Sequence, residues 1–145
     1  MKSPVVFLDR DGVISEEKSY VLSLKDFVIF PYSKKCIKKI HEYGYKAIVI
    51  TNQSAVGRGM LSIKVLEQMN KYLLDQTGVD AIYYCPHWNN NNPKIKNQFQ
   101  ISCNCRKPKT GLIEQALTEW DITLNNSYFI GDRASDIELG KKMGN

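Results

Sequence analysis

The chain has 145 residues, 43% of them hydrophobic, and four cysteines; it is long enough to bury a core without disulfide support, and a single domain over residues 1–145 is expected. Twenty lysines and arginines against fifteen acidic residues give a formal net charge of +5, which suits an anionic ligand. Neither a membrane-spanning apolar run, nor a signal-peptide layout, nor a nucleic-acid-binding motif is present, so the expectation is a soluble, cytoplasmic chain without membrane or nucleic-acid partners.

Pro4 to Leu8 predicts a buried strand that delivers the chain into Asp9-Arg10-Asp11-Gly12. Paired carboxylates at a strand end suit phosphoryl transfer: an aspartate becomes a useful nucleophile beside Mg²⁺, and a second carboxylate can move the proton. The dipeptide Asp11-Gly12 is equally a hairpin-turn signal. Phe27 to Phe30 is apolar and is broken by Pro31, after which Ser33 to Tyr43 predicts a helix closed by Gly44. Lys34, Lys35, Lys38 and Lys39 form its solvated face, and Cys36 is expected on its apolar side as an inert core residue.

Lys46 to Ile50 predicts the next strand, running into Thr51-Asn52-Gln53-Ser54. Ser62 then caps a helix to Gln76, with Leu66, Met69 and Leu73 on one side and Gly78 beyond its end, and Ala81 to Tyr84 predicts a third parallel strand. From Pro86 to Pro108 periodicity vanishes, and Asn89 to Asn92 followed by Pro93 cannot support regular structure. Cys85, His87, Cys103 and Cys105 bracket this loop as Cys-Pro-His and Cys-Asn-Cys. Three thiols and one imidazole form a zinc ligand set, which would be structural because four protein ligands leave no open position; buried free thiols are the alternative. Thr110 caps a helix to about Trp120, Ser127 to Ile130 predicts a strand running into Gly131-Asp132-Arg133, and Ala134 to Met143 predicts the last helix. Three strands ending in polar or acidic groups, each followed by a helix, argue for an α/β fold with a Rossmann-like parallel sheet and helices on both faces, where ligands sit at the carboxyl ends of the strands.

The motifs resemble those of the haloacid dehalogenase superfamily of phosphatases. Asp9-Arg10-Asp11-Gly12-Val13 looks like its first motif, Thr51-Asn52-Gln53-Ser54 its second, Arg106-Lys107-Pro108 its third and Gly131-Asp132-Arg133-Ala134-Ser135-Asp136 its fourth. The zinc loop narrows the resemblance to two groups, the heptose bisphosphate 7-phosphatases and the histidinol-phosphate phosphatases. Tyr20-Val21, Arg58-Gly59, Tyr83 to His87 and the loop's length place it nearer the former. Glu17-Lys18-Ser19-Tyr20 departs from the family's Asp-His-Gly-Tyr-like stretch, and Ala55-Val56-Gly57 from its Gly-Ile-Ala type segment.

The resemblance implies a HAD-like fold without a separate cap domain, and a Mg²⁺-dependent phosphomonoester hydrolase working through an aspartyl-phosphate. Its implied substrate is a small anionic sugar phosphate, the heptose 1,7-bisphosphate; histidinol phosphate, or a degenerate binding protein of the same fold, is the alternative. Asp9 would be the nucleophile, Asp11 the acid and base, and Thr51 and Lys107 the stabilisers of the transferring phosphoryl group. Asn52, Gln53, Ser54, Arg106 and Arg133 would meet substrate. Mg²⁺ would be held by Asp9, the Asp11 carbonyl and Asp132, with Asp136 behind them; Asp132 is also placed to cap the last helix. Relatives continue into a further strand, so a missing C-terminal strand is expected, with Ser127 to Ile130 at a sheet edge. In place of the family's monomer this predicts lower stability or an edge-strand dimer.

Overall fold

The computed structural model of the protein describes residues 2–89 and 97–144. Four strands alternate with four helices: β1 (Ser3–Leu8), α1 (Ser33–Glu42), β2 (Lys46–Asn52), α2 (Ile63–Thr77), β3 (Ala81–Cys85), α3 (Gly111–Glu119), β4 (Ile122–Ile130) and α4 (Ala134–Lys142), with a short 3₁₀ turn at Leu24–Asp26. The described strands form one parallel sheet of order β3-β2-β1-β4. β1 pairs on both sides, Phe7 facing Ile48 in β2 and Phe129 in β4. The part of the asparagine run from Asn90 on, with Pro93, lies outside the described residues; 86–89 and 97–110 contain no helix or strand.

A parallel strand covered on both faces must be apolar along its buried stretch, and β1 over residues 4–8 and β2 over residues 47–50 are. Val6, Leu8, Ala47 and Val49 face Ile37 of α1 and Leu66, Met69 and Leu73 of α2. The alternate residues Val5, Phe7, Ile48 and Ile50 face Leu112, Ile113 and Ala116 of α3 and Leu139 of α4. α2 follows its sequence signals closely: Ser62 Oγ accepts from the Val65 N–H at 3.2 Å, and Gly78 donates to the Leu74 carbonyl. Truncating Leu66 or Leu73, both fully buried, to alanine costs about 2–5 kcal/mol.

The structure corrects four local expectations. β4 starts at Ile122 rather than Ser127, because its pairing with β1 survives a bulge: Pro4 faces Thr123, but Val6 faces Tyr128. Asn126 takes φ 59°, and Ser127 Oγ accepts from Val5 N–H at 2.9 Å and donates to the Thr123 carbonyl at 2.7 Å, so a side chain replaces the interrupted ladder. Thr110 stands at the N-cap of α3 without a side-chain cap bond, its φ of −95° and ψ of 1° lying far from the extended backbone that caps use. Arg133 rather than Asp132 occupies the N-cap of α4, and the Asp136 carboxylate accepts its N–H at 3.3 Å. Cys36 is exposed, since Ser33 and Ile37 are the buried residues of α1 and position 36 lies about 100° around the helix from Ile37. No described helix is long and apolar enough to cross a membrane.

Candidate active site

From β1 the sheet grows in two directions, to β2 on one side and to β4 on the other, and the carboxyl ends of these three strands surround a crevice. Asp9 leaves β1, Thr51 and Asn52 end β2, and Asp132 follows β4. A cleft of about 270 Å³ opens there. Asp9, Asp11, Thr51 and Asn52 line it, as do Gln53, Ser54, Arg106, Lys107 and Arg133. Asp132 joins through its neighbours: carboxylate oxygens of Asp9, Asp132 and Asp136 all lie within 4.8 Å of one another. Asp11-Gly12 therefore makes no hairpin; β1 and β2 run parallel.

Lys107 is buried at the centre. Its ammonium donates to Asp136 Oδ1 at 2.5 Å and to the Ile50 carbonyl at 2.9 Å, and lies 3.2 Å from Asp9 Oδ1, so its three protons have three partners. The Asn52 amide fixes the lysine's backbone, Oδ1 accepting from Lys107 N–H at 2.9 Å and Nδ2 donating to its carbonyl at 3.3 Å. Expected to contact substrate, Asn52 is thus also a strut that holds Lys107 in place. Burial raises the Asp9 carboxyl above its ordinary pKa, the nearby Lys107 ammonium opposing this and the Asp136 charge adding to it. Three carboxylates against one ammonium leave an excess of two negative charges at the strand ends.

Hard oxygen donors carrying that excess fit Mg²⁺, and the backbone is shaped for the approach. Gly12 has φ +88°, and a Cβ built there would stand 2.4 Å from Asp132 Oδ2, so only glycine lets the β1 loop close on Asp132.

Asp11 is held by a network that the sequence does not disclose. Arg10, 0% exposed, donates through Nε and Nη2 to the two Asp11 oxygens at 3.1 and 3.2 Å, and its guanidinium lies 4.7 Å from the Phe27 ring centre. Gln53 Nε2 donates to Asp11 Oδ2 at 3.0 Å and to Thr51 Oγ1 at 2.9 Å, while its Oε1 accepts from Arg10 at 3.0 Å. Gln53, expected to meet substrate, lines the cleft but spends its amide on these neighbours. Phe27 and Gln53, both distant along the chain, hold this arginine inward. At the rim, Arg133 Nη2 donates to Glu17 Oε1 at 2.7 Å.

Cys85, His87, Cys103 and Cys105 come together beside the end of β3, their ligand atoms within 4.8 Å of one another. Cys85 Sγ lies 3.5 Å from Cys103 Sγ and 2.7 Å from Cys105 Sγ, and His87 Nδ1 lies 3.6 and 3.2 Å from Cys85 and Cys105 Sγ. Donors about 2.3 Å from a tetrahedral centre stand about 3.8 Å apart, and these four are drawn in closer than that; it is the donor set itself, three thiols and one imidazole converging on one point, that fits zinc. All four cysteines are free thiols. Burial holds the Cys85 thiol well up; burial acts most strongly on Cys103 too, but the N–H groups of Cys105 and Arg106 together with hydrogen bonds from the Cys85 and Cys105 thiols lower that thiol to about 6.

Comparisons with known proteins give the chain its relatives. The polynucleotide kinase 3 phosphatase family model matches residues 4–144. The chain is 40% identical to the D-glycero-alpha-D-manno-heptose-1,7-bisphosphate 7-phosphatase of Photorhabdus laumondii over 99% of its own length and 79% of that protein's. It is 35% identical to the D-glycero-beta-D-manno-heptose-1,7-bisphosphate 7-phosphatase of Haemophilus ducreyi over 99% and 80%. Its fold superposes on a crystal structure of the D,D-heptose 1,7-bisphosphate phosphatase of B. bronchiseptica complexed with magnesium and phosphate, with a TM-score of 0.76, 27% identity, and 99% and 77% of the two chains covered. The chain belongs to the polynucleotide kinase 3 phosphatase family of haloacid-dehalogenase-type phosphatases.

Proposed function

We propose that the protein removes the 7-phosphate of D-glycero-D-manno-heptose 1,7-bisphosphate, transferring it first to Asp9 and then to water. The observation that carries this reading is the placement of Asp9 and Asp132 at neighbouring strand ends, with the Lys107 ammonium against Asp9, in a cleft lined by arginines, in a chain 40% identical to an enzyme of that name. Mg²⁺, held by Asp9, the Asp11 carbonyl and Asp132, would supply neutralisation of the phosphate charge. Zn²⁺ on Cys85, His87, Cys103 and Cys105 would hold the long loop as a structural centre.

The chain's own groups account for the remaining steps. Asp9 Oδ attacks phosphorus while the bond to the leaving oxygen breaks, and Lys107 steadies the charge that spreads over the equatorial oxygens. Thr51 faces the same group from the end of β2. Asp11 gives its proton to the leaving alkoxide, then takes one from the water that cleaves the aspartyl-phosphate. Because two Arg10 nitrogens, Gln53 Nε2 and Ser15 Oγ, which donates to Asp11 Oδ1 at 3.2 Å, hold Asp11 to one side, its carboxylate leaves that network as substrate enters. Asn52 and Gln53 act as positioning residues for Lys107 and Asp11. Arg106 and Arg133 meet the leaving portion, and Arg133 exchanges Glu17 for the incoming anion.

The test is a direct comparison of kcat/KM for the heptose bisphosphate, as both anomers, and for histidinol phosphate, with Mg²⁺ present. A larger value for one heptose anomer is expected. A larger value for histidinol phosphate, or no phosphate release from either compound, would overturn the assignment.

A further inference from the structure

Of the cations lining the cleft, most are already committed. Lys107 is held by Asp9 and Asp136, Arg133 by Glu17, and Lys18 donates to the Asp26 carbonyl at 2.7 Å. Arg58 differs. Its guanidinium carbon lies 4.1 Å from the ring centre of Trp88 and 5.8 Å from that of Tyr20, and Nε donates to Ser54 Oγ at 3.2 Å. Among the described residues it has no carboxylate partner within ion-pair distance.

An arginine fixed against rings, with Nε already used, keeps its two terminal nitrogens for a bidentate acceptor and loses little freedom on binding one. The clamp is built, since the loop bearing Arg58 is tied to the cysteine loop that carries Trp88. Gln53 N–H donates to the Cys85 carbonyl at 2.8 Å, Gly57 N–H to the Pro86 carbonyl at 2.9 Å, and Asn97 Nδ2 to the Val56 carbonyl at 3.1 Å. A Cβ at Gly57 would come 2.6 Å from the Trp88 nitrogen, so the two backbones meet directly. Tyr20, on the opposite loop, ends the stretch that departs from the family pattern.

We propose that Arg58 is a specificity-determining residue that grips the phosphate remaining on the leaving portion of the substrate, its guanidinium aimed by Trp88 and Tyr20. The assignment rests on the bisphosphate reading above. The experiment measures kcat/KM for the heptose 1,7-bisphosphate and the heptose 7-phosphate with wild-type protein, Arg58→Met and Trp88→Leu. Wild type should prefer the bisphosphate. Arg58→Met should lower the bisphosphate-to-monophosphate ratio by about 10- to 100-fold, mainly through KM, which is what losing a charge-assisted hydrogen-bond pair predicts. Trp88→Leu, which loosens the clamp but keeps the charge, should lower it by less. Arg58→Gln, whose planar amide can still lie on Trp88, replaces Arg58→Met should that variant lack the wild-type thermal melt. An unchanged ratio, or equal loss on both substrates, would overturn the role of Arg58 while leaving the bisphosphate reading intact. A wild-type protein indifferent to the second phosphate would overturn that reading and this assignment with it.

Discussion

Replacing Lys107 with methionine removes the one ammonium between two buried carboxylates while keeping the volume of the side chain. Asp9 and Asp136 are 8% and 6% exposed, and the lysine stands 3.2 and 2.5 Å from them. Breaking a buried pair strands the remaining charge, at a cost of about 3–5 kcal/mol. With an unfolding entropy near 2 cal/mol/K per residue, a chain of this size has roughly 0.3 kcal/mol/K, so Tm should fall by about 10–16 °C. Phosphate release should fall by about 10²–10³-fold, the scale of losing one group that stabilises transition-state charge. Calorimetry and a phosphate-release assay at fixed Mg²⁺ measure both. The double variant Lys107→Met/Asp136→Asn should regain part of the lost stability, because one stranded carboxylate is neutralised, and none of the activity. A Tm within about 3 °C of wild type for Lys107→Met would refute the view that this ammonium compensates the buried carboxylates.

Asp9→Asn should retain the wild-type circular dichroism and lose at least about a thousandfold in phosphate release, since the side chain is the proposed nucleophile and its burial already disfavours the charged form. Gly12→Ala should raise the Mg²⁺ concentration for half-maximal activity by about tenfold or more and cost about 1–2 kcal/mol, because left-handed backbone and the short approach to Asp132 both exclude a Cβ; a wild-type titration would contradict that geometry. Native protein should show one thiol reactive to a disulfide reagent, the exposed Cys36, and four after chelation of zinc, with a lower Tm; four reactive thiols before chelation would remove the metal from the cysteine cluster.

Much of the fold was legible because its signals are local. A strand buried on both faces needs an unbroken apolar run, and Pro4 to Leu8 and Ala47 to Ile50 supply one; Ser62 and Gly78 bracket α2 by hydrogen bonds close in the chain. Polar or acidic groups after such strands, followed by helical stretches, place themselves at one sheet end by topology alone, which is why Asp9, Thr51 and Asp132 could be grouped. The cysteine set was legible because few other uses need three thiols and an imidazole so spaced.

The tertiary structure decided what depends on partners far apart in the chain. That Asn52 holds the Lys107 backbone across 55 positions, and that Gln53 and Phe27 turn Arg10 inward onto Asp11, follows from which side chains the packed sheet brings into contact. The early start of β4 depends on Ser127 bridging a bulge against β1, and the pairing of Arg133 with Glu17 on two loops meeting at the rim. The sequence thus determined which residue types reach the strand ends, since burial enforces the apolar pattern that carries them there. Which of those groups act on substrate and which hold the others in place was decided by packing, because a hydrogen bond depends on distance and not on order along the chain.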